Sequence, residues 1–381
     1  MKGTTLPVEK DLNQTLIDFL KKGLESGGFD AVLLPSRVPS GDSFAYLLIK
    51  NPSLLEEATP LPPVMPVQGA KAVSSLTQYG KTNQKILAAM RPCEIRAATE
   101  LSKLKQAELE NILFLSLDCP GALPLSDYLE NPREKDKVFQ EALENRKTES
   151  MRPVCQVCRE FSTTTGDLHV GRWGAEKGRV FLISSSEQGK KIQETMGNQG
   201  DQSVDSWESK VKELKEQRLQ ERAQFHEDLK TKAGGPDKLL EFFNQCINCH
   251  NCMRACPVCY CRQCYFDSEA FDLPVDDFLK RAKKKGSLRL PTDTLLFQLG
   301  RMSHMVHSCV SCGTCEDACP MDIPVAQLFS LVADQTQKLF QYSPGRNREE
   351  PLPFSVYKEE EFHEVETPYR KTYSKGEGKN A

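Results

Sequence analysis

Apolar positions change their spacing twice along this chain, and the changes divide it into segments. From Leu12 to Leu24 they recur at helical intervals, which predicts an opening helix. Short apolar runs at Ala31–Leu34, Phe44–Ile49, Lys85–Met90 and Asn111–Leu117 read as strands, with a helix expected over Glu94–Lys105. A further pair, Leu168–Val170 and Val180–Ile183, extends the sheet, and the proline-rich stretch Thr59–Gly69 is a rigid extended connection. Strands alternating with a helix imply parallel βαβ units. At Asp205–Lys232 the pattern becomes uniformly polar, without Pro or Gly and with both charge signs interleaved. That predicts an exposed, solvated connecting helix with i,i+4 pairs such as Glu208 with Lys212, ended by Gly234, Gly235 and Pro236. Beyond Gln341 the chain is polar and charged, and is expected either to wrap a partner or to stay mobile. The expected division is an α/β domain over 1–200, a charged helical linker over 201–236, a cysteine-rich module over 237–342 and an extended tail over 343–381.

Candidate chemistry centres on cysteine. Two runs read C-x2-C-x2-C-x3-C-P: Cys246, Cys249, Cys252 and Cys256 before Pro257, and Cys309, Cys312, Cys315 and Cys319 before Pro320. This run wraps cubane clusters, and its fourth cysteine ligates the other cluster in two-cluster ferredoxins. Structural zinc prefers paired C-x2-C knuckles, so two [4Fe–4S] clusters are the stronger reading. The segment between the runs, Tyr265–Ser308, exceeds a minimal two-cluster ferredoxin and carries the basic stretch Lys280–Lys285.

Composition excludes several classes. The chain has 381 residues, 39% of them hydrophobic, and a formal net charge of −3, so no strong field points to nucleic acid or an anionic membrane. No stretch approaches the ~18 apolar residues that span a bilayer, and the start lacks an apolar leader core. Fifteen cysteines at metal spacing rather than disulfide spacing suit a reducing compartment, so a cytoplasmic protein of anaerobic metabolism is expected. There is no Ser–His–Asp pattern, no Walker loop and no GxGxxG after a strand, and no catalytic residue is assigned.

Seven cysteines lie outside the runs. Cys93 and Cys119 each follow a predicted strand, at the carboxyl ends where parallel sheets place their sites. Cys155 and Cys158 would complete a set of four thiols, for which a third cubane, a zinc ion and buried free thiols are comparable on chemistry alone. Cys259, Cys261 and Cys264 follow the first run directly. They are either packing residues or a candidate fourth centre, with His250 or a partner chain as the missing donor. His304 and His307 precede the second run, where ordinary surface or core roles outweigh hydrogen bonds to cluster sulfur.

The segments RPCEIRAATELSKLKQ, LSLDCPG and CQVC, followed by the glycine-bearing Gly166–Gly174, resemble the beta-subunit family of deazaflavin-dependent (coenzyme F420) hydrogenases and formate dehydrogenases over roughly 66–197. The resemblance implies an α/β domain carrying a [4Fe–4S] cluster on Cys93, Cys119, Cys155 and Cys158 and an FAD beside Gly166, Asp167, Gly171, Arg172, Trp173 and Gly174. Arg172 stands where an acidic residue is common in that family. The cysteine-rich part is similar to dicluster modules attached to formate dehydrogenases and heterodisulfide-reductase-type assemblies. The order of the two parts resembles a formate dehydrogenase beta-type subunit.

The expected function is an iron–sulfur flavoprotein subunit. It would relay electrons between a formate dehydrogenase or hydrogenase catalytic subunit and a soluble carrier, the flavin joining one- and two-electron traffic. The alternative is a flavin-free wiring subunit that docks a dehydrogenase onto a heterodisulfide-reductase-like partner.

Overall fold

Eight segments of the first half extend as strands: β1 (Lys2–Pro7), β2 (Ala31–Arg37), β3 (Phe44–Ile49), β4 (Ile86–Met90), β5 (Ile112–Leu117), β6 (Leu168–Gly171), β7 (Arg179–Ser184) and β8 (Gln202–Ser203). They form one sheet in the order β3-β2-β4-β5-β6-β7-β1-β8. The central β2, β4, β5 and β6 run parallel, while β3 on one side and β7, β1 and β8 in turn on the other each join by antiparallel pairing to the preceding strand of the order. In this computed structural model residues 2–145, 148–197, 202–269, 274–288 and 291–356 are described.

Both faces of the central strands are covered, which is why those strands read as continuous apolar runs rather than alternating ones. Leu87, Ala89, Leu113 and Leu115 face α1 (Leu12–Glu25), while Ile86, Ala88, Met90 and Phe114 face the layer of α2 (Gly69–Leu76) and α3 (Pro92–Lys103). Each buried Leu, Ile, Met or Phe among them contributes about 1.5–3 kcal/mol, so a one-residue slip in register would be strongly opposed.

The expected strands are present, and the expected parallel pairing of the strands before Cys93 and Cys119 holds from Ile86↔Ile112 to Met90↔Ser116. Two strands had no apolar signature. β1 is polar (KGTTLP) and is held by its ladder to β7, Gly3↔Ile183 through Pro7↔Arg179. Gly3 permits this approach, since a Cβ there would stand 2.8 Å from the Leu182 carbonyl. The two-residue β8 depends on β1 in turn. Helix α3 begins at Pro92, two residues before the expected Glu94. Proline suits the first helical position, and the Glu94 carboxylate accepts the Arg91 N–H at 2.9 Å, which closes the helix start.

The helix Asp205–Ala233 forms as expected but is not a solvated linker. Trp207, Val211, Arg218, Arg222, His226 and Leu229 lie buried along one stripe. Three of these six are basic, so hydrophobic periodicity could not reveal the face. The charge is met by structure: Arg222 Nε and Nη2 donate to the two oxygens of Asp334 at 2.6 and 3.0 Å. Asp334 belongs to the helix Val325–Leu339, which closes the cysteine-rich module.

That module packs against the sheet domain. Val310, within the second cysteine run, is part of the same buried cluster as Met90, Ile95 and Phe114. Arg152 and Asp317 form an ion pair across the junction, with only 3% and 9% of their side chains exposed. The start of the expected mobile tail is also anchored. Tyr342 is buried with its hydroxyl donating to Glu100 Oε1 at 2.6 Å, and the Pro344 carbonyl accepts from Arg96 Nε at 2.8 Å. Through Gly345 the tail is therefore held on its own chain, because buried charges on α3 supply partners for a polar segment. Residues 357–381 lie outside those described. No helix among the described residues is long and apolar enough to cross a membrane.

Candidate metal centres

Cys93 stands in the first turn of α3 and Cys119 just past β5, both at the carboxyl ends of neighbouring parallel strands. Cys155 belongs to the short helix Pro153–Gln156, and Cys158 follows two residues later. The four are brought together. Burial first raises the Cys93 thiol well above its ordinary value, and the adjacent Glu94 and the sulfurs of Cys312, Cys119 and Cys155 raise it further. Burial likewise pushes Cys155 up to about 12, with Cys119 and Cys158 adding to the effect. Gly121 lets the loops meet: its φ is +123°, and a Cβ there would lie 2.9 Å from that of Cys155.

The two ferredoxin-like runs share one backbone course. Asn248 and His250 in the first, and Ser311 and Gly313 in the second, occupy matching places and all have positive φ between 54° and 81°. The left-handed turns curl each loop around a common centre. His250 carries the strain of a side chain there. It is held by a 2.7 Å hydrogen bond between Nδ1 and Asp267 Oδ1 and by stacking on Phe297 at 4.1 Å. The fourth cysteines cross over. Cys252 neighbours Cys246 and Cys319, whereas Cys256 neighbours Cys309, Cys312 and Cys315. With Cys93 beside Cys312, the three sets lie in sequence, the set built on the second run in the middle.

These sites fit an iron–sulfur cluster on three grounds. Burial raises the thiols of Cys93, Cys155, Cys158, Cys252, Cys256, Cys309 and Cys315, so they resist ionising unless a cationic centre is supplied. Guanidinium groups are aimed at the sulfurs: Arg91 Nη1 at Cys119 Sγ and Arg301 Nη1 at Cys252 Sγ, each at 3.0 Å. Finally, the buried Nε of Arg301 has no acceptor in the protein. Among the described residues no three Cys, His, Asp or Glu side chains converge on a point where one metal ion would be held.

Gly166–Gly174 makes its contacts inside the protein. Asp167 accepts the Phe114 N–H at 2.8 Å and the Ser186 hydroxyl at 2.7 Å. Cβ atoms on Gly166, Gly171 and Gly174 would meet Phe114, Trp207 and Ser206 within 3.0 Å. The backbone N–H groups of Arg172 and Trp173 both donate to Asp118. The glycines of this stretch thus admit neighbouring protein. A cavity of about 680 Å³ lies elsewhere, between α2–α3 and the cysteine-rich module, with Lys71, Lys105, Arg262, Cys259 and Cys261 on its walls. Cys259 neighbours Cys264 and Cys261, while Cys264 Sγ approaches Met253 Sδ at 3.6 Å and Cys261 is exposed. His304 is exposed, and the His307 ring packs against Phe340 at 5.4 Å, so both keep ordinary roles.

Sequence reasoning missed Asp118, Arg91 and Arg301. Asp118 is fully buried and accepts from His169 Nε2 at 3.0 Å, Ser162 Oγ, Arg172 N at 2.6 Å, Trp173 N at 3.1 Å and Trp207 Nε1 at 3.0 Å. Burial alone would raise its carboxyl, but the hydrogen bonds led by His169 and Ser162 outweigh that and hold it below the usual carboxylate range. The signal was adjacency, since Asp118 immediately precedes Cys119 and Arg91 lies two residues before Cys93.

An α/β sheet domain joined to a crossed pair of cysteine runs defines an oxidoreductase component of the iron–sulfur electron-transfer class. Comparison with known proteins narrows this. Residues 127–210 match the family described as the C terminus of the coenzyme F420 hydrogenase/dehydrogenase beta subunit, and residues 242–323 match the 4Fe-4S dicluster domain, so the chain carries a segment of each. It is similar to the F420-dependent formate dehydrogenase subunit beta of Methanocaldococcus jannaschii, 28% identical over 74% of this chain and 80% of that one. The F420-dependent formate dehydrogenase 1 subunit beta of Methanococcus maripaludis is 29% identical over 70% of this chain and 74% of the relative. A chain of the F420-reducing [NiFe] hydrogenase complex from Methanosarcina barkeri superposes with a TM-score of 0.44 at 11% identity, covering 62% of this chain and 93% of that one.

Proposed function

We propose that the protein is the electron-transfer subunit of an oligomeric complex, relaying electrons between a formate dehydrogenase or hydrogenase catalytic subunit and a deazaflavin carrier, singly along its clusters and in pairs where a flavin of the complex would exchange a hydride with the carrier. The observation that carries this is the sequence of sulfur sets: Cys93, Cys119, Cys155 and Cys158; then Cys309, Cys312, Cys315 and Cys256; then Cys246, Cys249, Cys252 and Cys319. Cys93 and Cys312, packed against the same buried cluster, bring the first near the second, and the crossed fourth cysteines join the second to the third. Bound [4Fe–4S] clusters would supply one-electron redox chemistry at each set. The protein's own work is to bury the sulfurs, exclude water and fix the spacing. Arg91 and Arg301 donate to ligand sulfurs, Asp118 clamps the loop carrying Cys119, and the Arg152–Asp317 pair locks the sheet domain onto the dicluster module.

The FAD implied by the resemblance belongs to this proposal at the level of the complex, but no contact to it is assigned to Gly166–Gly174. That internal packing favours the second reading, a flavin-free wiring subunit that docks a dehydrogenase onto a heterodisulfide-reductase-like partner. Anaerobic preparation of the complex separates the two. About twelve irons per chain with an equal amount of sulfide, from three cubanes, is expected in both cases. Flavin released on denaturation supports the first reading, and its absence supports the second. A colourless protein with zinc or no metal would defeat both.

A further inference from the structure

Arg301 is 2% exposed, on the helix Thr294–Met305 that crosses between the two cysteine runs. Nη1 donates to Cys252 Sγ and Nη2 to the Cys252 carbonyl, both at 3.0 Å. Nη1 also reaches Gln298 Oε1 at 3.3 Å, and the guanidinium lies 4.8 Å above the Phe329 ring and 5.5 Å above that of Phe297. Among the described residues no carboxylate pairs with it. Besides Cys252, the sulfurs of Cys256, Cys315 and Cys259 face it, and the Phe329 ring beneath it belongs to the buried cluster that holds Cys256 and packs against Cys315. The contrast with Arg222 is informative. That group also lies near cluster sulfurs, Cys158 and Cys309, but Asp334 neutralises it through two hydrogen bonds. Among the described residues Arg301 has no such carboxylate partner. Cys252 belongs to one of the two crossed sets, and Cys256 and Cys315 to the other.

We propose that Arg301 is a positioning residue shared by both ferredoxin-type centres, whose uncompensated charge favours the reduced form of each and keeps their potentials close. Adding an electron makes a cluster more negative, so a fixed cation in a low-dielectric pocket stabilises the reduced state, and a hydrogen bond to a ligand sulfur acts in the same direction. One cation serving two neighbouring centres raises both together, which keeps transfer between them nearly level. The inference rests on the reading that the runs hold [4Fe–4S] clusters.

The test is an EPR-monitored redox titration of the full chain, with iron and sulfide assayed on each sample. In Arg301→Gln both dicluster midpoints are expected to fall by at least a tenfold change in the one-electron equilibrium, or 59 mV. The centre on Cys93, Cys119, Cys155 and Cys158 should move far less. Arg301→Lys keeps the charge but its shorter reach gives up the bond to Cys252. It should lower the midpoint of the centre Cys252 serves by at least threefold and leave the other unchanged. The exposed-charge control Lys283→Gln should move neither. If Arg301→Gln retains its iron and its titration superimposes on the wild type, Arg301 is only a brace and the inference falls. If Arg301→Gln holds no iron, Arg301→Lys decides: a fall of both midpoints there, with the positive charge retained, overturns the inference. Wild-type protein without iron or a cluster signal would instead remove the underlying reading.

Discussion

Replacing Asp118 by Asn changes one oxygen to an NH2 group at the most heavily used acceptor in the sheet domain. Asp118 Oδ2 takes three N–H donors, from Arg172, Trp173 and Trp207, and Oδ1 takes the Ser162 hydroxyl and His169 Nε2. The best Asn orientation keeps its oxygen on the three donors. Each of those bonds then drops from charge-assisted to neutral, a loss of about 1 kcal/mol apiece. The amide now donates toward His169 Nε2, so the imidazole proton must move to Nδ1, a buried atom with no partner. That stranded donor costs about 1–3 kcal/mol, for a total near 4–6 kcal/mol. Relief of burying a charge does not offset this, because the site already holds the carboxyl below its ordinary value and so favours the ionised form on balance. A folded-state value below the unfolded one gives stability that is fully present above about pH 4 and is lost as pH falls through the folded value. Measurement at pH 7 therefore captures the whole effect. The assay is anaerobic thermal unfolding together with iron analysis. About 4 kcal/mol in an α/β domain of this size lowers Tm by roughly 10 °C. Loosening the loop that carries Cys119 should also release iron from that set first. A variant within about 2 °C of wild type and fully loaded would refute the view that Asp118 clamps the loop.

Three further outcomes are expected. Cys312→Ser removes a sulfur of the middle set, so iron should fall by up to about a third and transfer between the two ends should stop while the sheet domain stays folded; unchanged iron with unimpaired transfer would contradict the assignment. Arg152→Met strands the buried Asp317 and costs about 3–5 kcal/mol, read as a lower unfolding midpoint and as new protease cleavage at the junction; a midpoint that does not move would mean the pair does not lock the two parts. Burial, reinforced by Arg222, lowers His226 to about 4, below the ~6.5 of the unfolded chain. The unfolded state therefore binds more protons between those values, and stability should be full above about pH 6.5 and decline toward pH 4. His226→Gln should flatten that slope in urea midpoints taken at pH 4.5 and 7, and an unchanged slope would show that another group is responsible.

Much of the scaffold was legible because its signals are local. Parallel strands covered on both faces must be apolar throughout, so β2, β4 and β5 announce themselves, and the placement of Cys93 and Cys119 beyond adjacent strands follows from them. Cluster loops require fixed cysteine spacing, so the two runs are equally plain. The strand β1 escaped because its residues form a strand only when β7 supplies the ladder. The inner face of the Asp205–Ala233 helix escaped because Arg218, Arg222 and His226 imitate a solvated surface until Asp334 and Ser330 are brought to them. The anchoring of residues 342–345 was hidden for the same reason, since its partners Arg96 and Glu100 are 248 and 245 positions away from the groups they bind.

The amino-acid order alone determined the eight sulfurs of the two runs, because short-range spacing is written directly into the chain, and it left Cys93, Cys119, Cys155 and Cys158 open between a third cubane, zinc and free thiols. Only folding decided how the groups are arranged: Cys93 near Cys312, Cys256 crossing to the second run, and a guanidinium donating to Cys252. Such contacts join residues tens to hundreds of positions apart, and neither periodicity nor motif spacing reaches that far. Burial then gives them their strength, since a charge that water would screen on the surface acts at nearly full effect where water is excluded.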